Sequence, residues 1–178
     1  MIKKKEEKFE VPAHILESRL KNCKIYDAEA ALRKAGLDPE IGRLAVHRRL
    51  LSQNFGGGLQ ETFTQPAPHF VAAHGITSKW VYPKLTVNPH APTIPGHPGL
   101  FFSLNEMVQQ RYYTVSGLGT NQWLFLGIYS LFESGPLSVA EWGNIPYPVR
   151  SALFSVSSFT QDIDVICIVP DRLRQTYR

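Results

Sequence analysis

Four prolines fall within residues 88–98, at Pro89, Pro92, Pro95 and Pro98. Each removes a backbone N–H donor and fixes φ, so this stretch can join neither a helix nor a central strand. It must be a stiff loop or a polyproline-like wall, and the remaining chain has to fold around it. A second interruption stands at Asn54-Phe55-Gly56-Gly57-Gly58-Leu59-Gln60-Glu61, where three glycines end a helical pattern. Before these signatures the chain reads as helix, and after them mostly as strand.

Residues 1–10 are charged and aperiodic, with Lys3, Lys4, Lys5 and Lys8, and read as a basic flexible arm. Residues 11–55 form a helical N-terminal segment. Ile15, Leu16, Arg19 and Leu20 have helical spacing, which predicts a short helix over 12–23. Asp27 is placed to cap an alanine-rich helix that ends at Gly36. Asp38 as N-cap and Pro39 at the first helical position predict a third helix, with Ile41, Leu44, Ala45, Arg48 and Leu51 continuing to the glycines.

Residues 56–178 are the strand-rich part of the same single domain. Brief extended runs are expected at 69–71 and 80–82 around a turn at 74–77. The continuous Leu100-Phe101-Phe102 predicts a strand buried on both faces over 99–103. Another is expected at 111–116, turning at 117–119. Residues 121–131 carry the clearest strand signal, with Gly127 marking a bulge or a close backbone approach. Alternation puts Trp123 and Phe125 on one face and Leu124 and Leu126 on the other. Ser138-Val139-Ala140-Glu141 has capping-box spacing and should start a helix carrying Trp142. A further short helix over 149–157 and a core strand over 163–169 complete the pattern. Without βαβ alternation, this predicts an α+β fold: a bent, mostly antiparallel sheet or small β-barrel, with the N-terminal helices packed outside.

Apolar residues make up 43% of the 178 residues and charged residues 19%, which excludes a disordered chain. No apolar segment follows the charged start, and no window approaches the ~18 apolar residues of a membrane span. Cys23 and Cys167 lack CxxC spacing, so free thiols in a reducing compartment are expected. The chain is thus expected to be intracellular, in nucleus or cytoplasm.

Dedicated catalytic motifs are missing. There is no GxSxG, and the glycine runs at 56–58 and 117–119 lack a P-loop lysine. The spacings of His69 with His74 and of His90 with His97 match no metal motif, so no metal and no cofactor is expected. Asp162 and Asp164 alternate on one strand face, which is more often a solvated strand start than an acid/base pair. What remains is basic and aromatic. The formal charge is +4, with Arg43, His47, Arg48 and Arg49 grouped on one predicted helix and Arg172, Arg174 and Arg178 at the end. Cations beside aromatic rings can hold phosphate while the rings stack bases. The candidate nucleic-acid-binding set is therefore Arg48, Arg49, Lys79, Trp80, Tyr82, Asn88, His97, Arg111, Tyr112 and Trp123. Taken singly, each aromatic residue is better explained as sheet core.

The pattern Arg48-Arg49-Leu50-Leu51-Ser52, Phe55-Gly56-Gly57 with Gln60, Asn88-Pro89 with Pro92, Pro95-Gly96 and Pro98-Gly99-Leu100 continues through residues 123–129 and Glu141-Trp142. Over roughly residues 44–150 it resembles an uncharacterised domain family of mushroom-forming fungi. The resemblance carries no catalytic residues. It implies a bent sheet similar to the PUA-like barrels, which include readers of modified bases. The leading expectation is a non-enzymatic nucleic-acid-binding module, including a reader of a modified or flipped base, with DNA ahead of RNA as partner. A protein-interaction scaffold is the alternative, and a hydrolase using His97 and Asp164 ranks third.

Overall fold

The computed structural model describes residues 18–103, 110–136, 138–145, 147, 150–151 and 164–170. The elements in chain order are α1 (Ala28–Lys34), a 3-10 turn (Pro39–Arg43), β1 (Ala45–Val46), α2 (Arg48–Phe55), β2 (Phe63–Thr64) and α3 (Pro68–His74). They continue as β3 (Trp80–Val81), β4 (Gly99–Ser103), β5 (Arg111–Gly119), β6 (Gln122–Pro136), α4 (Val139–Asn144) and β7 (Asp164–Pro170).

The strands make one sheet in the order β2-β3-β5-β6-β7-β4, with β1 added against β6. Among the described strands, β3 and β5 pair in parallel and the other pairings are antiparallel. β2 and β4 remain at the two edges, so the sheet is bent and open, and the closed-barrel alternative is not realised. The 15-residue β6 organises it. Its first half pairs with β5 and its second half with β7, while Tyr129 and Ser130 are paired on both sides. A register shift falls where Thr114 faces Gly127 and Val115 faces Phe125, and Gly127 has φ +112°. This is the bulge expected at that glycine, and it bends the strand.

Alternation along β5 and β6 splits the buried side chains between two faces. Val81, Phe101, Tyr112, Leu124, Leu126, Tyr129 and Leu131 pack together on one. On the other, Leu51 of α2 and Phe70 of α3 cover Trp80, Tyr82, Val115 and Trp123. The Phe55 ring stacks on Trp80 at 4.5 Å, and Trp80 stacks on Tyr113 at 4.9 Å. Each fully buried aliphatic or aromatic side chain of this kind contributes roughly 1.5–3 kcal/mol. Leu100, Phe101 and Phe102 are all buried, as the apolar run of β4 requires.

Two parts of the N-terminal reading are corrected. The third helix is not continuous: Asp38 caps a short 3-10 turn, the chain extends through β1, and α2 restarts with His47 as N-cap. Ala45 and Val46 find sheet partners in Leu124 and Trp123, and tertiary pairing overrides the helical spacing. Residues 68–74 are helical rather than extended. Pro68 occupies the first turn and Gly75 the left-handed C-cap position, the usual proline-in, glycine-out boundary. The expected caps at Asp27 and Ser138 are present, the latter as a full capping box with Glu141. Of the helix expected over 12–23, residues 18–23 are described; 18–20 are helical and 21–22 form a turn. The helix expected over 149–157 and the C-terminal arginines lie largely outside the described residues.

The proline-rich stretch is a loop held by side chains. Asn88 Oδ1 accepts from Phe102 N at 2.8 Å, and Ser116 Oγ donates to Pro92 O at 2.6 Å. The Tyr129 hydroxyl accepts from Gly96 N and donates to His97 O. Desolvation by burial keeps Tyr129 a neutral phenol and pushes its pKa above the ordinary range, with the bond from Gly96 N acting the other way.

Candidate functional site

Local pairing explains how a cleft forms at one end of the sheet. β1 pins the chain beside Trp123, which delivers His47, Arg48 and Arg49 to that end as the first turn of α2. Lys84 bridges to Gly117, and Leu85 N donates to Gly117 O at 3.1 Å, which fixes residues 84–86 along the β5 edge. The loop after α2 is clamped from three directions. Arg48 Nη2 donates to Gly58 O at 2.7 Å, the Ser52 hydroxyl donates to Gly57 O, and Glu61 Oε2 accepts from Gly58 N at 2.8 Å. Gly57 has φ +81°, and a Cβ there would lie 2.4 Å from the Thr64 methyl, so only glycine fits.

The resulting cleft has a volume of about 470 Å³. Its walls are the head of α2, Leu59 and Gln60, residues 84–86, and the β5–β6 hairpin tip with Trp123. Arg48, Arg49 and Lys84 are its charged lining residues, and no lining residue is a carboxylate. Arg48 is 4% exposed and lies flat on Tyr82, with Cζ 3.5 Å from the ring centroid and 5.7 Å from that of Trp123. Desolvation pulls its pKa down, while the neighbouring Tyr82 and the charge of Glu61 act the other way. Burial likewise raises Tyr82, and the Arg48 charge opposes that. The electrostatic result is a cluster of positive charge with low-dielectric aromatic walls, at the positive end of a helix dipole.

Of the sequence-derived candidates, Arg48, Arg49 and Trp123 line this cleft and Tyr82 lies under Arg48. The others stand elsewhere. Trp80 and Tyr112 are buried in the two cores and Asn88 is engaged with Phe102, so these three are packing and loop-holding residues. Tyr82 and Trp123 are also below a tenth exposed and present no open face for stacking. Lys79 sits beside Trp80, its carbonyl accepting from Tyr113 N. Arg111 starts β5, six residues and roughly 20 Å along the strand from Gly117. His97 lines a second cleft. His97 and Asp164 stand at opposite ends of β4, since Gly99 follows His97 closely and Asp164 pairs with Ser103. Among the described residues, no group of three or more His, Cys, Asp or Glu gathers, and no helix is long and apolar enough to cross a membrane.

Lys84, His47 and Gln60 belong to the cleft without having been in the candidate set. The basic run at 47–49 pointed toward His47. Lys84 is one of the cations interleaved with the aromatic run, but its place beside Arg48 depends on the non-local bridge to Gly117.

The second cleft, of about 750 Å³, lies between α1 with its flanking turns and the proline-rich loop. Ile25, Tyr26, Leu32, Pro39, Ile94, Pro95, His97 and Leu124 dominate it. Its charges are internally matched: Arg43 pairs with both Glu29 and Glu40, and Asp27 caps α1.

No curated protein and no solved structure matches the chain. One family model does, over residues 45–165, under the description Domain of unknown function (DUF6697). The match begins at β1, includes every residue of the basic cleft and covers more than half of the chain, which therefore belongs to the DUF6697 family.

Proposed function

We propose that the protein is a nucleic-acid-binding module that uses the basic cleft at the head of α2. One observation carries this reading: three cationic side chains from two separate segments line a single concavity that has no carboxylate in its walls. Such a surface attracts polyanions through counterion release. The cleft volume lies within the range of small-ligand pockets, which suits one nucleotide drawn out of a strand. In the same reading the open sheet is a relative of the PUA-like base readers, the family is fungal, DNA stands ahead of RNA, and the compartment is nucleus or cytoplasm. The test is binding of single- and double-stranded DNA and RNA over a salt series. Affinity should fall steeply with salt, and an absence of binding at low salt would end the proposal.

A second reading has its own observation. Ile25, Leu37, Ile41 and Leu44 of the N-terminal segment and Ile94 of the proline loop are each about half exposed or more. Such apolar residues around the second cleft suit a protein partner. Salt-insensitive capture of a partner, lost on Ile94→Asp, would favour it.

A further inference from the structure

Resting on the reading of the basic cleft as a nucleic-acid site, we propose that the head of α2 is a seat for one phosphate group. Arg48, Arg49, Lys84 and His47 form it. The first argument is the state of Arg48. Its guanidinium is almost wholly buried, its Nη2 bonds to the neutral Gly58 carbonyl, and Nε and Nη1 have no hydrogen-bond partner. A buried cation is normally matched by an anion and by a full set of acceptors. Glu61, the carboxylate whose charge reaches it, is exposed and engages Gly58 N. A phosphate group in the cleft that Arg48 lines supplies the missing charge.

The second argument is that the neighbouring cations are also unmatched. Among the described residues, the ion pairs involve Arg19, Arg33 and Arg43, not Arg48, Arg49 or Lys84. Lys84 Nζ donates to the neutral Gln60 Oε1 at 3.2 Å. His47 Nδ1 accepts from Arg49 N at 3.1 Å, so the neutral ring carries its proton on Nε2, where it is a further donor. Access is the third argument. In the hairpin tip that lines the cleft, Gly119 is exposed and has no side chain to obstruct a phosphate, while Gly117 lies under the Trp123 ring.

The shared chemistry is a phosphate oxyanion, either an internal phosphodiester of a strand or a terminal phosphomonoester. The experiment uses the full chain and fluorescence anisotropy with one labelled single-stranded oligonucleotide, with and without a 5′-phosphate. Inorganic phosphate serves as competitor. Arg49→Gln and Lys84→Gln, checked for native circular dichroism, should each weaken binding several-fold and reduce the salt slope by about one. Arg48→Lys keeps the charge but not the planar fork, and should weaken binding without removing the salt dependence. Tighter binding of the 5′-phosphorylated strand assigns the seat to a terminal phosphate. Equal binding with the same variant losses assigns it to an internal one, and both outcomes support the seat. If the oligonucleotide binds and all three variants leave it unchanged, the seat is overturned while nucleic-acid binding survives elsewhere on the surface. If no oligonucleotide binds but inorganic phosphate raises the melting temperature of wild type and not of Arg49→Gln, the seat stands and the nucleic-acid reading fails. If neither probe binds, both are overturned.

Discussion

The two clefts differ in how their charges are balanced. Around the apolar cleft, Arg43 and Arg33 meet Glu29, and Glu40 meets Arg43, so the ions neutralise one another at the surface. In the basic cleft Arg48 and Lys84 donate to neutral oxygens, and among the described residues no ion pair involves Arg48, Arg49 or Lys84. Exposed matched pairs contribute little to stability or recognition, whereas unmatched cations gathered in a concavity create a field that a ligand can answer. The clefts also differ in origin. Every residue of the basic cleft lies within 45–165, the span of the family match, while much of the apolar cleft comes from residues 25–43 ahead of it.

The sharpest way to break this comparison is to detach one cleft and leave the other. Gly96 has φ +84°, its carbonyl accepts from Tyr26 N at 2.8 Å, and an added Cβ would lie 1.9 Å from the Tyr26 carbonyl oxygen. Since that obstacle is backbone, Gly96→Ala should destabilise by about 3 kcal/mol and loosen residues 25–28, visible as faster amide exchange there. Oligonucleotide affinity should hold.

Charge reversal tests the other side. Arg49→Glu with Lys84→Glu should lower oligonucleotide affinity by roughly 100-fold, about 2.7 kcal/mol, because two attractive contacts become repulsive. Arg43→Glu at the apolar cleft should change it less than about twofold, since Arg43 is exposed, pairs with Glu29 and Glu40 and does not line the basic cleft. Equal losses in both would erase the distinction between the clefts.

The N-terminal segment has a further anchor. Arg19 forms a two-pronged ion pair with Glu141 at 2.5 and 2.7 Å and also donates to the Ser134 and Pro136 carbonyls. That bonding, led by Arg19, holds the Glu141 pKa down to about 2. Because the folded value is depressed, the stabilisation is complete above the ordinary carboxylate pKa and is lost as pH falls from there through about 2. Glu141→Gln should therefore cost about 2 kcal/mol at neutral pH and flatten the acid limb of a denaturation profile. The smallest expected effect is that of Ile94→Ser, which should stay within about 0.5 kcal/mol in stability because the side chain is half exposed. It should nonetheless reduce any salt-insensitive partner binding.

Much of the local structure was legible in the residues. Caps at Asp27, Asp38 and Ser138, the bulge at Gly127, the doubly buried β4 and the two-faced alternation at Trp123 and Leu124 follow from backbone sterics and side-chain period. The breaks at 44–47 and the helix at 68–74 were not, because each is settled by contacts with distant segments: β1 against β6, and Phe70 against Trp80. Of the candidate site, the residues at 47–49 could be picked out by their charge. Most aromatic candidates belong to packing, since a strand's period says which side chains share a face but not what covers that face.

By itself, then, the sequence determined the proline wall, the glycine loop that only glycine can form, the caps and the faces of the strands, all of which depend on allowed φ values and nearest neighbours. Only the tertiary structure decided that Arg48 lies buried on Tyr82 and that Lys84 joins it at the cleft through the bridge to Gly117. Those placements depend on pairings between segments far apart in the chain, and no local rule encodes which cations will end without a counter-ion.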